Sequence, residues 1–145
     1  MTRRLATIGY EQSTLDDVIG RLKAAGVEIV IDVRAVASSR RAGFSKTLLA
    51  GSLGQAGIDY LHLRDLGTPK PGRQAARAGR IAEMQEIYRA HLEEPGAQVQ
   101  LAQACEVARE RTAALLCYEA EAPGCHRAIV ADLIQGRIGC EVVDL

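Results

Sequence analysis

Aromatic side chains are scarce in this sequence, which holds four tyrosines, one phenylalanine and no tryptophan among 145 residues. Its core must therefore be aliphatic, drawn from the Leu, Ile, Val and Ala that dominate a 48% hydrophobic fraction. Excess charge is also missing, since 18 basic residues face 18 acidic ones and the isoelectric point lies near 6.8. That balance argues against a generic binder of nucleic acid or anionic membrane and leaves room only for a local basic patch. No apolar run is long enough to span a bilayer. Residues 1–10 lack the apolar stretch of a secretory signal. The expectation is a cytoplasmic protein that does not enter membranes. Four cysteines in a reducing compartment are expected to be thiols rather than disulfides. A Walker-type phosphate loop, a GxGxxG turn and a GxSxG elbow are all absent, so the common nucleotide-cofactor and hydrolase classes lose their usual support.

What is present is an alternation of strand and helix patterns. Leu5 to Ile8 is a short apolar run stopped by Gly9, and Leu15, Val18, Ile19 and Leu22 then recur at helical spacing. Ser13 or Thr14 can cap that helix, and Gly26 can end it. Glu28 to Val33 is a β-branched strand, Ser45 opens a helix that runs to Ala56, and Asp59 to Leu63 is a third strand. Arg64 to Arg80, with two prolines, three glycines and five basic residues, reads as a long mobile loop. Helices over 81–92 and 97–110, a strand over 112–117, a helix containing 128–134 and a strand over 140–144 complete the pattern. The expected fold is α/β: one three-layer domain over 1–145, with a mainly parallel five-stranded sheet, strand four interior, and helices on both faces.

In an open parallel sheet, ligands bind beyond the carboxyl ends of the strands. Strand one delivers Tyr10 to that edge, strand two delivers Asp32 and Arg34 followed by Arg40 and Arg41, strand three delivers His62, and strand four delivers Cys117 and Glu119. Cys125, His126 and Arg127 then lead into the last helix, whose start favours a thiolate or a bound anion. There Cys125 could act as nucleophile, His126 as acid or base, and Arg127 as anion clamp. Arg34, Arg40 and Arg127 are expected to face one pocket and bind phosphate, with Asp32 orienting Arg34. An Asp32–Arg34 structural ion pair is the alternative for those two residues. Lys70, Arg73, Arg77 and Arg80 could form a phosphate-binding lid, although solvated loop charges are the commoner case. Cys105 and Cys140 sit in amphipathic and apolar patterns and read as buried hydrophobes. Cys117, Glu119, Cys125 and His126 include enough ligand types for zinc, but their spacing is not that of a zinc ribbon, so no metal is assigned.

Several of these motifs together resemble the family catalogued as domain of unknown function 488. They are Ile8-Gly9 before a capped helix, Val30-Ile31-Asp32-Val33-Arg34, Ser39-Arg40-Arg41 before Phe44, Tyr60-Leu61-His62-Leu63 with Leu66-Gly67, and Cys117-Tyr118-Glu119 leading to Cys125-His126-Arg127. The resemblance spans nearly the full length; Tyr10 stands where that family commonly carries Gly-His. The name implies no activity and no cofactor, and it strengthens the location of the site rather than its chemistry. The functional expectation is a thiol-dependent enzyme acting on a small anionic substrate of nucleotide or nucleic-acid origin. A non-catalytic nucleic-acid or metal-binding module, or a thiol redox sensor pairing Cys117 with Cys125, are the alternatives.

Overall fold

A computed structural model describes residues 3–118 and 126–145. Strand β1 (Arg4–Gly9) leads into helix α1 (Leu15–Ala24), then β2 (Ile29–Asp32), α2 (Lys46–Gln55) and β3 (Asp59–His62). A 3-10 turn (Arg64–Leu66) precedes α3 (Lys70–Arg77), α4 (Ile81–Leu92) and α5 (Pro95–Glu110). Strand β4 (Ala113–Cys117), α6 (His126–Ile138) and β5 (Glu141–Asp144) close the chain. The sheet order is β3-β2-β4-β1-β5, and every pairing is parallel, which places strand four at the centre as expected.

Side chains alternate across a pleated strand, so a sheet covered on both faces needs apolar residues of both parities. In β4, Ala113, Leu115 and Cys117 point to one core with Tyr88, Leu101 and Ile134 of α4, α5 and α6. Ala114 and Leu116 point to the other, with Val18 and Leu22 of α1 and Leu49 and Leu53 of α2. Helix α1 starts because the Thr14 hydroxyl accepts the Asp17 N–H at 3.1 Å, with Asp16 and Asp17 facing the positive end of the dipole. It stops before Gly26, whose φ of +72° suits a residue without a side chain. Among the described residues, no helix is long and apolar enough to cross a membrane.

The long loop expected over Arg64 to Arg80 is corrected, because the segment holds the 3-10 turn and helix α3. Its prolines fit this role: Pro69 is the cap and Pro71 lies in the first turn, where a missing N–H costs nothing. Gly72 and Ala75 are buried. A Cβ on Gly72 would come within 2.5 Å of Thr68 Cγ2 and 3.5 Å of Ile87 Cγ2 of α4, so the small residue permits the close packing. Ser45 stands at the start of α2 but makes no cap bond there; its hydroxyl accepts from the Ser39 N–H at 3.1 Å and donates to the Ser39 carbonyl at 3.2 Å.

Candidate functional site

Strand β4 lies between β1 and β2. The helices that follow β1 and β2 pack on one face, whereas the helix that follows β4 packs on the other. Chains leaving neighbouring strands in opposite directions open a crevice at the carboxyl ends, and here that crevice centres on β4. Its walls are tied together just beyond the strands. The Tyr10 N–H donates to the Cys117 carbonyl at 3.2 Å, the Glu11 N–H to the Tyr118 carbonyl at 2.8 Å, and the Val33 N–H to the Leu116 carbonyl at 3.1 Å.

Behind the crevice sits a buried ion pair. Asp32 has no exposed surface, and Arg34 is 5% exposed. The Arg34 Nη2 donates to Asp32 Oδ2 at 2.7 Å, its Nε donates to both carboxylate oxygens, and its backbone N–H donates to Oδ1 at 3.0 Å. The Tyr60 hydroxyl donates to the same Oδ2. The remaining guanidinium nitrogen, Nη1, donates to the Phe44 carbonyl at 2.7 Å and to the Tyr10 hydroxyl at 3.2 Å. Burial pulls the Arg34 pKa down, but the hydrogen bond and charge of Asp32 outweigh it, so its pKa lies above the ordinary value and the guanidinium stays charged. Burial, then Asp32, pushes the Tyr60 phenol up, so it stays a donor. All three nitrogens of Arg34 are committed to protein partners. Its geometry is that of a brace joining the ends of β1, β2 and β3, the structural alternative raised by the sequence.

The brace continues into the histidines. His62 Nε2 donates to the Arg34 carbonyl at 2.7 Å, and His126 Nε2 donates to the Val33 carbonyl at 2.9 Å. A carbonyl only accepts, so Nε2 carries the proton in each ring and Nδ1 is the basic nitrogen of the neutral tautomer. The His126 ring also meets Tyr88 edge-on at 5.3 Å. Cys117 is fully buried, and Arg127, likewise without exposed surface, donates from Nη1 to its sulfur at 2.9 Å.

In front of the brace lies a cleft of about 810 Å³. Tyr10, Cys117 and His126 form its inner wall, and Tyr118 and Val36 stand at its side. Arg40, Arg73 and Arg77 bring guanidiniums to it, against the carboxylate of Glu11 among the described residues. Ser38, Ser39 and Thr68 add hydroxyls. The structure thus brings Tyr10, Arg34, Arg40, Cys117 and His126 to one cavity.

Four candidate residues stand elsewhere. Arg127 faces the buried side of Cys117 rather than the cleft, so the expected common pocket of Arg34, Arg40 and Arg127 is not formed: one arginine is buried, one is committed to Asp32, and only Arg40 is left to face solvent. Arg41 turns away to a separate hollow at the start of α1, where its Nη2 donates to the Ser13 carbonyl at 2.6 Å. Asp32 and His62 lie behind the wall. Glu119 and Cys125 lie outside the described residues.

Arg73 and Arg77 are the basic residues that a loop reading undervalued. Their i,i+4 spacing is that of one helix face and was the signal available for them. Glu11 and Tyr118 follow the ends of strands one and four, which was the signal for them, whereas Thr68 carried none.

Cys105 and Cys140 are buried in the α4–α6 core, and burial pushes both thiols up. The thiol form that folding favours contributes stability below the unfolded thiol value of about 8.5, and that contribution is lost as pH rises above it. Native protein treated with iodoacetamide at pH 8 should leave Cys105 and Cys140 unlabelled, with both labelled in urea. Site-resolved mass spectrometry checks this, and early native labelling of either would contradict their place in the core.

The family model described as Domain of unknown function DUF488 aligns with residues 14–134. No curated protein and no solved structure matches the chain.

Proposed function

The chain belongs to the DUF488 family, and from that premise and the cleft we propose a thiol-dependent enzyme that acts on a small anionic substrate of nucleotide or nucleic-acid origin. One observation carries the reading: among the described residues, three guanidiniums not neutralised by a buried partner and one carboxylate surround a cavity whose inner wall holds Cys117 and His126. Arg34 adds no net charge there, because Asp32 neutralises it. Arg40, Arg73 and Arg77 attract and seat the anion. Cys117 supplies the nucleophilic sulfur, and His126, on the same wall, takes or returns a proton. The cavity volume falls in the range of about 300–1,000 Å³ that small-molecule sites occupy.

The experiment has two arms. Inorganic phosphate and phosphate esters, titrated by calorimetry at moderate salt, should bind, and the double variant R73A/R77A should weaken them about tenfold or more while retaining the native melting temperature. Cys117 should be alkylated in native protein and protected by the bound ester. Full burial of Cys117 favours a second reading, a non-catalytic binding module. Anion binding without native Cys117 reactivity would select that reading, and no binding of any phosphate compound would end both.

A further inference from the structure

All five aromatic residues of the chain stand around the carboxyl edge of the sheet, and four are occupied there. Tyr10 stacks on Phe44 with ring centroids 4.3 Å apart and planes 10° from parallel. Tyr60 holds Asp32, and Tyr88 donates to the Leu66 carbonyl while touching His126. Tyr118 is different. It meets the Tyr10 ring edge-on at 5.4 Å, which fixes its position, yet it is 44% exposed and lines the cleft. Exposing so large an apolar surface in a chain so short of aromatics is uneconomical for folding alone.

Opposite chemistry is supplied by α3. Arg73 and Arg77 lie one helical turn apart and line the same cleft. The Arg73 Nη1 donates to the Thr68 carbonyl at 2.9 Å, which anchors that guanidinium at the cavity wall. An exposed ring edge or face and a pair of guanidiniums in one cavity match a ligand with a planar unsaturated ring and a separate phosphate. We propose that the substrate class is a nucleoside monophosphate, free or as a chain-terminal unit, with its base stacked on Tyr118 and its phosphate held by Arg73 and Arg77. The assignment rests on the anion-binding reading of this cleft and adds to it a base subsite. Stacking is tolerant of base identity because every base presents a π-face. Ser38, Ser39 and Thr68 line the same cleft with hydroxyls suited to a ribose.

The test compares AMP, GMP, CMP and UMP with ribose 5-phosphate and inorganic phosphate by calorimetry on the full chain. Each nucleotide should bind about tenfold or more tightly than ribose 5-phosphate. Y118A should bring nucleotides down to the ribose 5-phosphate level and leave ribose 5-phosphate itself unchanged, whereas Y118F should retain the preference. Ribose 5-phosphate binding as tightly as the nucleotides in the unsubstituted protein would overturn the base subsite and leave the anion cleft standing. A nucleotide preference that survives Y118A would overturn the role of Tyr118. Failure of every phosphate compound to bind would overturn the anion reading as well.

Discussion

Replacing Asp32 with Ala should remove about 3–5 kcal/mol of stability, the cost of leaving one partner of a buried ion pair alone. The carboxylate has no exposed surface and accepts from Nε, Nη2 and the backbone N–H of Arg34 and from the Tyr60 hydroxyl. Without it, a guanidinium that cannot lose its proton is left in a pocket built for a salt bridge, and the half-buried Tyr60 phenol loses its acceptor. R34A should cost a similar amount, since the carboxylate is then stranded and the Phe44 carbonyl and the Tyr10 hydroxyl lose their donor. Urea unfolding of each variant, and of D32L/R34M, reads the coupling. The apolar pair should be far less damaging than the sum of the singles, because it strands no charge. A loss below about 1 kcal/mol for D32A would mean that water reaches the pair. Arg34 is thus expected to support the site through the fold, and any binding defect in R34A should accompany the loss of stability.

The second large effect is expected at Gly67. Its φ of −84° and ψ of 161° suit any residue, so torsion does not demand glycine there. Space does, because a Cβ would lie 2.1 Å from the Ala35 nitrogen and 2.4 Å from its Cα. Both obstructing atoms are backbone, and neither can swing aside as a side-chain tip can. The loops after β2 and β3 would have to part, and these loops carry Ala35 and Thr68, which line the cleft. G67A should therefore cost about 3 kcal/mol or more, at or beyond the upper end of overpacking effects, and weaken phosphate binding in whatever folded protein remains. G54A is the matched control. Gly54 lies exposed in α2 with nothing within 4 Å of its missing Cβ, so alanine there should stabilise the fold by about 0.5–1 kcal/mol. Equal melting temperatures for G67A and G54A would refute the close approach.

Much of the architecture was legible because it is written in local periodicity. The β-branched run ending at Asp32, the helical spacing from Leu15 to Leu22 and the apolar stretch from Ala113 each identify an element from its own neighbours. The same locality explains the failure at Arg64 to Arg80. Prolines and glycines were read as breakers, whereas Pro69 and Pro71 stand at a helix start and Gly72 sits against Thr68.

The sequence by itself determined the α/β class, the parallel sheet and the edge toward which its unusual polar residues converge. Strand order followed less directly, since an alternating pattern is compatible with several orders and only non-local pairing selects β3-β2-β4-β1-β5. The division of labour among the arginines was also left to the tertiary structure. Arg34, Arg40, Arg41 and Arg127 all follow strand ends or open a helix; Asp32 two residues before Arg34 marks that one as a possible ion pair, and nothing in their spacing separates the other three. Folding pairs Arg34 with Asp32, buries Arg127 against Cys117, turns Arg41 to Ser13 and leaves Arg40 at the cleft with Arg73 and Arg77. The physical reason is that secondary structure follows from side chains a few residues apart, whereas a guanidinium also takes its role from acceptors that meet it across the fold, as Arg41 does from Ser13, 28 residues away.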